Sequence, residues 1–451
     1  MDESMVDPRD GGERDQVISE EQFVRFLVES PQQKAFFAFF EVAPSDAGRW
    51  KRRHCTALVE LAHEFETFLD EFHARSNRRF YFFGELVASV RNVADAAQVL
   101  NHLDIRFSQY DVRFGATDAE HRDRIWQFRT ELTAAIRFAN ESLVRLLQEV
   151  RTEARALGLA APELTPVGGH VPEDRSRVHL PHDLDREELA EKGGAVAVLL
   201  HGVLQGAERV QQLRDRLPRS GGYEAMRQFV RDHFTEVEAR KYTTGVHNLQ
   251  SAYDTYVKPT RLSVEMPELR TFRGHVSLAL HLFEVASHLI HFYERHEGEE
   301  LRGITKDRIA KLVPREQVLH HVVQFAARNA ADVVLRVVPL AQALLPRVAP
   351  QQTLELDLPE GFALHARPLS LIFGVVRHHK VPVEIVIEDK STSAGSIMGL
   401  IMFAGKYPGV RRVAFRGEAA PLADLKLLFD AGLGERGFDD FPPALSYLRP
   451  A

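Results

Sequence analysis

The hydrophobic pattern of this chain changes its period once, between Pro346 and Pro350. Before that point, apolar residues recur every three or four positions, which is typical of amphipathic α-helices. After it, the segments TLELDL (353–358) and VPVEIVIED (381–389) alternate with period two, as half-buried β-strands do. The sequence therefore predicts a large all-α N-terminal region followed by a smaller C-terminal α+β domain.

The all-α region is predicted to form two helical bundles, at 19–155 and 186–346. The first contains periodic segments at 58–72, 80–103 and 125–150. The second contains them at 195–217, 223–257, 268–296 and 316–345. The stretch 156–185 is rich in Pro, Gly and charge, so we expect a linker or long loop there. Residues 1–18 are polar and charged, which predicts disorder. Whether the second bundle duplicates the first stays open.

Composition excludes several classes of function. The chain has 451 residues and a formal net charge of -7, so it has no general basic field for nucleic acid. No stretch approaches the roughly 20 continuous apolar residues of a membrane span, and the acidic N-terminus is not a secretory signal. We therefore expect a cytoplasmic protein that binds no nucleic acid and inserts in no membrane. The single cysteine, Cys55, follows the pattern of a buried thiol.

Within 352–435 the predicted order is strand, helix, two strands, short helix, strand and helix, followed by a tail at 436–451. A third period-two segment lies at 410–417, and apolar helical runs begin at 366, 396 and 420. This is an α+β order.

His365 ends the loop after the first of these strands and directly precedes an amphipathic helix. Pro368 suits the first turn of a helix, where its missing N–H is not needed. The free amides and the positive end of the helix dipole form an anion site, and Arg367 adds a guanidinium for phosphate oxygens. An imidazole titrates near neutrality and is a nucleophile toward phosphoryl groups. The pattern predicts a phosphohistidine at His365, with Arg367 stabilising the phosphoryl group.

Two motifs, LHARP (364–368) and SIMGL (396–400), at this separation and in this order of elements resemble the HPr family. HPr is the histidine-containing phosphocarrier of the bacterial phosphotransferase system. The resemblance covers 352–435 and implies an open-faced β-sandwich. It also implies a phosphoryl carrier that accepts phosphate on His365 from the phosphoenolpyruvate-dependent first enzyme and passes it to a downstream phosphoacceptor protein.

The resemblance further implies that Ser396 corresponds to the serine that HPr kinase/phosphorylase modifies in some bacteria. Ser396 is also a predicted N-cap, and an N-cap alone is the competing interpretation. We expect a partner-docking surface that includes Pro368, Ile397, Met398 and Met402. The flexible thioethers of the two methionines suit contact with several partners. No cofactor and no metal is expected in this domain.

Outside the C-terminal region, one row of histidines is notable. His281, Glu284, His288 and His291 share a face of one predicted helix, and His233 and Glu236 repeat the H-x-x-E spacing on another. Metal binding, a second phosphoacceptor histidine and a polar interface row are the three interpretations. Two other functions stay open: a docking module on a regulatory scaffold that never carries phosphate, and a helical metal- or ligand-binding protein with an HPr-like appendage.

Overall fold

A computed structural model describes residues 17–115, 117–166, 193–219, 221–258, 265–297, 303–358, 363–435, 437–438 and 441–449. It is mostly helical, with a small antiparallel sheet near the C-terminus. This agrees with the predicted change from all-α to α+β. The disorder predicted for 1–18 and the loop predicted for 156–185 fall largely outside the described residues.

The described residues before the sheet form α-helices that we number α1 to α12. Their bounds are Glu20–Glu29, Pro31–Ala38, Arg52–Glu71, Tyr81–Arg106, Asp118–Ala156, Gly193–Arg216, Tyr223–His233, Glu236–Tyr256, Glu268–Glu297, Gly303–Leu312, Arg315–His320 and Arg328–Val348. A π-helical stretch, His321–Ala327, connects α11 and α12.

Local sequence explains where several of these helices begin. Ser19 and Gln22 form a reciprocal capping box at the start of α1. The continuous periodic segment 223–257 is two helices, α7 and α8, because the Thr235 side chain accepts a hydrogen bond from the Glu238 N–H, 3.4 Å away, and begins a new helix. The prediction that His233 and Glu236 share one helix is therefore wrong.

The chain divides into two compact units. The first comprises residues 1–102, 134–178 and 291–318, and its core is rich in phenylalanine. The rings of Phe36 and Phe65 lie 5.0 Å apart, and those of Phe65 and Phe83 lie 5.8 Å apart; all three are fully buried.

Two buried carboxylates of this unit are neutralised by arginines. Glu66 contacts Arg91 and lies 2.6 Å from Arg75. Glu85 lies 3.2 Å from Arg295. Because an unpaired buried charge is strongly unfavourable, this network explains how glutamates are accommodated among the phenylalanines.

The second unit comprises residues 103–133, 179–290 and 319–451 and contains the α+β region. Its strands are β1 to β4, at Gln352–Asp357, Glu384–Ile387, Lys390–Ser393 and Arg412–Gly417. Its helices are α13 to α15, at Ala366–His379, Ile397–Ala404 and Ala419–Asp430. The sheet is antiparallel with the order β1-β4-β2-β3.

One face of this sheet is buried under the helices. Ile385, Ile387, Val413 and Phe415 alternate with half-buried or exposed neighbours and share one core with α13, α14 and α15. This alternation is the period-two pattern that the sequence displayed, and it places all three helices on the same face.

The α+β region also contacts α6 of the same unit through a buried pair. His201 Nε2 lies 2.5 Å from Glu418 Oε1, and the two side chains are only 4% and 9% exposed. The short 3₁₀ helix Pro443–Leu448 packs on α13, where a Cβ on Gly374 would lie 2.7 Å from Leu448 Cδ2. In the described residues, no helix combines the length and apolar character that crossing a membrane requires.

Candidate functional site

His365 lies where the sequence predicts it, at the N-cap of α13. Its backbone is extended, with φ -113° and ψ -175°, and its carbonyl accepts the Leu369 N–H at 3.1 Å. The side chain makes no capping hydrogen bond and is 55% exposed. The imidazole is therefore accessible at the positive end of the helix dipole.

The first turn of α13 provides donors for an anion. The N–H groups of Ala366 and Arg367 have no intrahelical acceptor, as at the start of any α-helix. Pro368 occupies the third position of the helix and has no N–H to leave unpaired. Two amides and a dipole next to an exposed imidazole make a site that suits a phosphoryl group.

Glu435 is part of this site and was not found from the sequence. Its Oε1 lies 2.9 Å from His365 Nε2. Within the described residues this buried oxygen accepts no hydrogen bond of good geometry, so the contact is an electrostatic one. The carboxylate faces Nε2, so Nδ1 is the ring nitrogen that takes no part in this contact.

The turn before Glu435 has an unusual backbone. Leu433 and Gly434 both have positive φ, at 53° and 76°. A Cβ on Gly434 would lie 2.5 Å from Leu371 Cδ1, so glycine is needed for both its conformation and its close packing on α13. This turn positions Glu435 beside His365.

Arg367 is exposed and lies over an aromatic ring of the C-terminal segment. Its guanidinium carbon is 5.5 Å from the centroid of the Phe438 ring, which is a cation–π distance. An exposed guanidinium beside the start of α13 can contact an incoming anion.

Ser396 is the N-cap of α14, as predicted. Its hydroxyl accepts the Gly399 N–H at 3.1 Å, and the residue is exposed. Helix α14 packs against α13. The two sequence motifs thus begin neighbouring helices of one domain.

The predicted docking residues differ in their exposure. Met398 and Met402 are 64% and 65% exposed, and Ile397 is half-buried. Pro368 is buried among core residues of α13, so its expected role in docking is wrong. Ile401, which the sequence did not single out, is 40% exposed and extends the apolar surface of α14.

The histidine row on α9 is half-buried, and its apolar opposite face is buried. His281 Nδ1 lies 2.8 Å from Glu284 Oε2. Among the described residues, no group of three or more histidine, cysteine, aspartate or glutamate side chains is arranged to hold a metal ion.

Cys55 is fully buried in the first unit, as expected. Burial raises the pKa of its thiol to about 12, so it stays protonated and unreactive.

Comparison of the chain with protein-family models, with curated proteins and with solved structures finds no match.

Proposed function

We propose that this protein is a phosphoryl carrier and regulatory protein of a bacterial phosphotransferase system, with His365 as the phosphoacceptor. The observation that carries the proposal is the exposed imidazole at the start of α13, with Glu435 2.9 Å from its Nε2. A phosphoryl group on Nδ1 would lie at the positive end of the helix, next to the Arg367 guanidinium.

The order of elements supports the resemblance to HPr. Strand, helix, two strands, helix, strand and helix follow one another from β1 to α15, and the four strands form one antiparallel sheet. All helices cover the same face of the sheet, which is the arrangement that an open-faced sandwich requires. The LHARP and SIMGL motifs begin α13 and α14 in this framework.

The transfer step needs no cofactor. The lone pair of Nδ1 attacks the phosphorus of a phosphohistidine on the donor enzyme. The new N–P bond forms as the donor N–P bond breaks, and the donor ring, protonated on its other nitrogen, leaves as a neutral imidazole. The proton on Nε2 remains there, stabilised by the Glu435 carboxylate. The first-turn amides and Arg367 hold the phosphoryl oxygens. The reverse of the same step passes the group to a downstream acceptor.

Ser396 is the second proposed modification site, for a kinase of the HPr kinase/phosphorylase type. A phosphate at the N-cap of α14 is tolerated by the helix dipole, because the added charge faces the positive end. The same dianion would lie beside the exposed Met398 and Met402 and hinder a partner that presents carboxylates.

The remaining proposals concern the rest of the chain. The helical region acts as a sensor, docking or output module whose state depends on His365, and the protein is cytoplasmic. The buried contact between His201 of α6 and Glu418 of the α+β region supports such a connection.

A phosphoryl-transfer assay tests the main proposal. The full-length protein is incubated with radiolabelled phosphoenolpyruvate and the first enzyme of a phosphotransferase system. We expect acid-labile, base-stable label that disappears in His365→Ala. The control His247→Ala, which removes an exposed histidine of α8, retains the label.

Label that persists in His365→Ala, or no label in the wild-type protein, would refute the carrier function. The second outcome would favour the docking-module interpretation, for which the exposed Met398, Ile401 and Met402 already provide a surface.

A further inference from the structure

A groove runs along α13 on the side covered by the C-terminal segment. It has a volume of about 630 Å³, is open to solvent, and lies between α13 and the residues around Phe438 and Tyr447. Along α13 its wall contains Ser370, Arg377 and His378, and Lys380 lies at its far end.

The exposed charged residues described along this groove are basic. Arg377 and Lys380 are exposed, and none of the described residues that line the groove carries a carboxylate. The protein as a whole has a formal net charge of -7, so two exposed basic side chains on the described wall of the groove contrast with its overall composition. Basic residues in the last turn of a helix interact favourably with its dipole. This interaction explains why basic residues lie at the end of α13, but not why an open groove continues toward the start of the helix.

The groove continues the site at His365. Arg367, Leu371, Gly374 and His378 follow one another at spacings of four, three and four residues, so they lie on one stripe of α13. Phe438, which contacts the Arg367 guanidinium, also lines the groove. One end of the groove therefore meets the phosphoacceptor site.

The walls are held in place by specific contacts. The His378 and Tyr447 rings stack with centroids 3.6 Å apart. The Tyr447 hydroxyl donates to Asp424 at 2.7 Å, and the same carboxylate lies 2.8 Å from His379 Nε2. Gly374 lets the C-terminal segment approach α13 closely. These contacts hold the C-terminal segment against α13.

We propose that this groove binds an acidic, extended segment of a partner protein. From Ser370 to Lys380 the helix rises about 15 Å, which matches four or five extended residues at roughly 3.3 Å each. The groove is an open trough, whereas small-molecule sites enclose most of their ligand. Carboxylates of the segment pair with Arg377 and Lys380, and an apolar side chain packs on Phe438 and Leu448.

The inference goes beyond the phosphoryl-carrier proposal, and its test uses unphosphorylated protein, so either can fail alone. Fluorescence anisotropy is measured for full-length protein with two fluorescein-labelled hexapeptides, DEFDEL and KKFKKL. We expect DEFDEL to bind at least tenfold more tightly than KKFKKL at low salt. The double variant Arg377→Glu/Lys380→Glu weakens DEFDEL binding at least tenfold.

Two further variants make the result specific to the groove. Lys390→Glu/Arg411→Glu reverses two exposed charges of the same domain outside the groove, and we expect less than a twofold change. Ser370→Trp keeps every charge but fills the groove, and we expect at least a tenfold loss. Equal affinity for the two peptides, no saturable binding, equal effects of the two charge reversals, or unchanged binding by Ser370→Trp would each overturn the proposal. Circular dichroism verifies that each variant is folded.

Discussion

The buried pair between His201 and Glu418 provides the sharpest test of how the α+β region is attached to α6. The two atoms lie 2.5 Å apart, and the side chains are 4% and 9% exposed. We expect His201→Ala to leave a buried carboxylate without its partner. Breaking a buried pair from one side costs about 3–5 kcal/mol of the free energy of unfolding.

The interaction energy between His201 and Glu418 can be isolated with a double-mutant cycle. His201→Ala and Glu418→Ala each remove one partner, and the double variant removes both. Glu418 is the N-cap residue of α15, but its side chain makes no capping hydrogen bond, so loss of a cap does not contribute. We expect a coupling energy of about 2 kcal/mol, within the range for contacting residues.

A matched control is available on the same helix. Lys426 and Asp430 form an exposed i,i+4 pair at 2.7 Å, with side chains 57% and 58% exposed. Its cycle should give only about 0.3–0.5 kcal/mol. Urea unfolding is followed by circular dichroism, and hydrogen exchange of α6 and α15 reports the local change. If the buried pair couples no more strongly than the surface pair, the reasoning from burial is refuted.

Three further predictions concern stability and coupling. Burial lowers the pKa of His54 to about 4 and of His296 to about 3. Below pH 6.5 the unfolded chain therefore binds more protons than the folded protein does. Each residue should lower the free energy of unfolding by about 2 kcal/mol as the pH falls from 7 to 5. Urea titrations of the double variant His54→Gln/His296→Gln should not show this pH dependence. Gly434→Ala should destabilise the α+β region by about 1–3 kcal/mol in thermal unfolding, because φ at this position is positive and Leu371 occupies the space of the Cβ. The control Gly409→Ala should change stability little, because a Cβ there would have no neighbour within 4 Å. The mimic His365→Glu should alter hydrogen exchange somewhere within 20–346; identical exchange in both forms would exclude signalling to the helical region.

Much of the C-terminal region could be predicted from local sequence. The period-two segments are strands, LHARP begins a helix, and Ser396 caps the next one. These features depend on side-chain alternation and on hydrogen bonds within three or four residues, which a sequence displays directly. The break between α7 and α8 at Thr235 is also local, but the continuous helical period concealed it.

Local sequence was enough to predict an imidazole and a guanidinium at the first turn of a helix. The groups that contact these two side chains come from distant parts of the chain and depend on how the helices pack. Glu435 reaches His365 because Gly434 packs on Leu371, and Phe438 reaches Arg367 because the C-terminal segment folds back over α13. His201 and Glu418 are 217 residues apart in the chain and meet through the packing of helices. Such contacts depend on how helices and strands pack against one another. The spacing of residues within one helix or strand does not predict this packing.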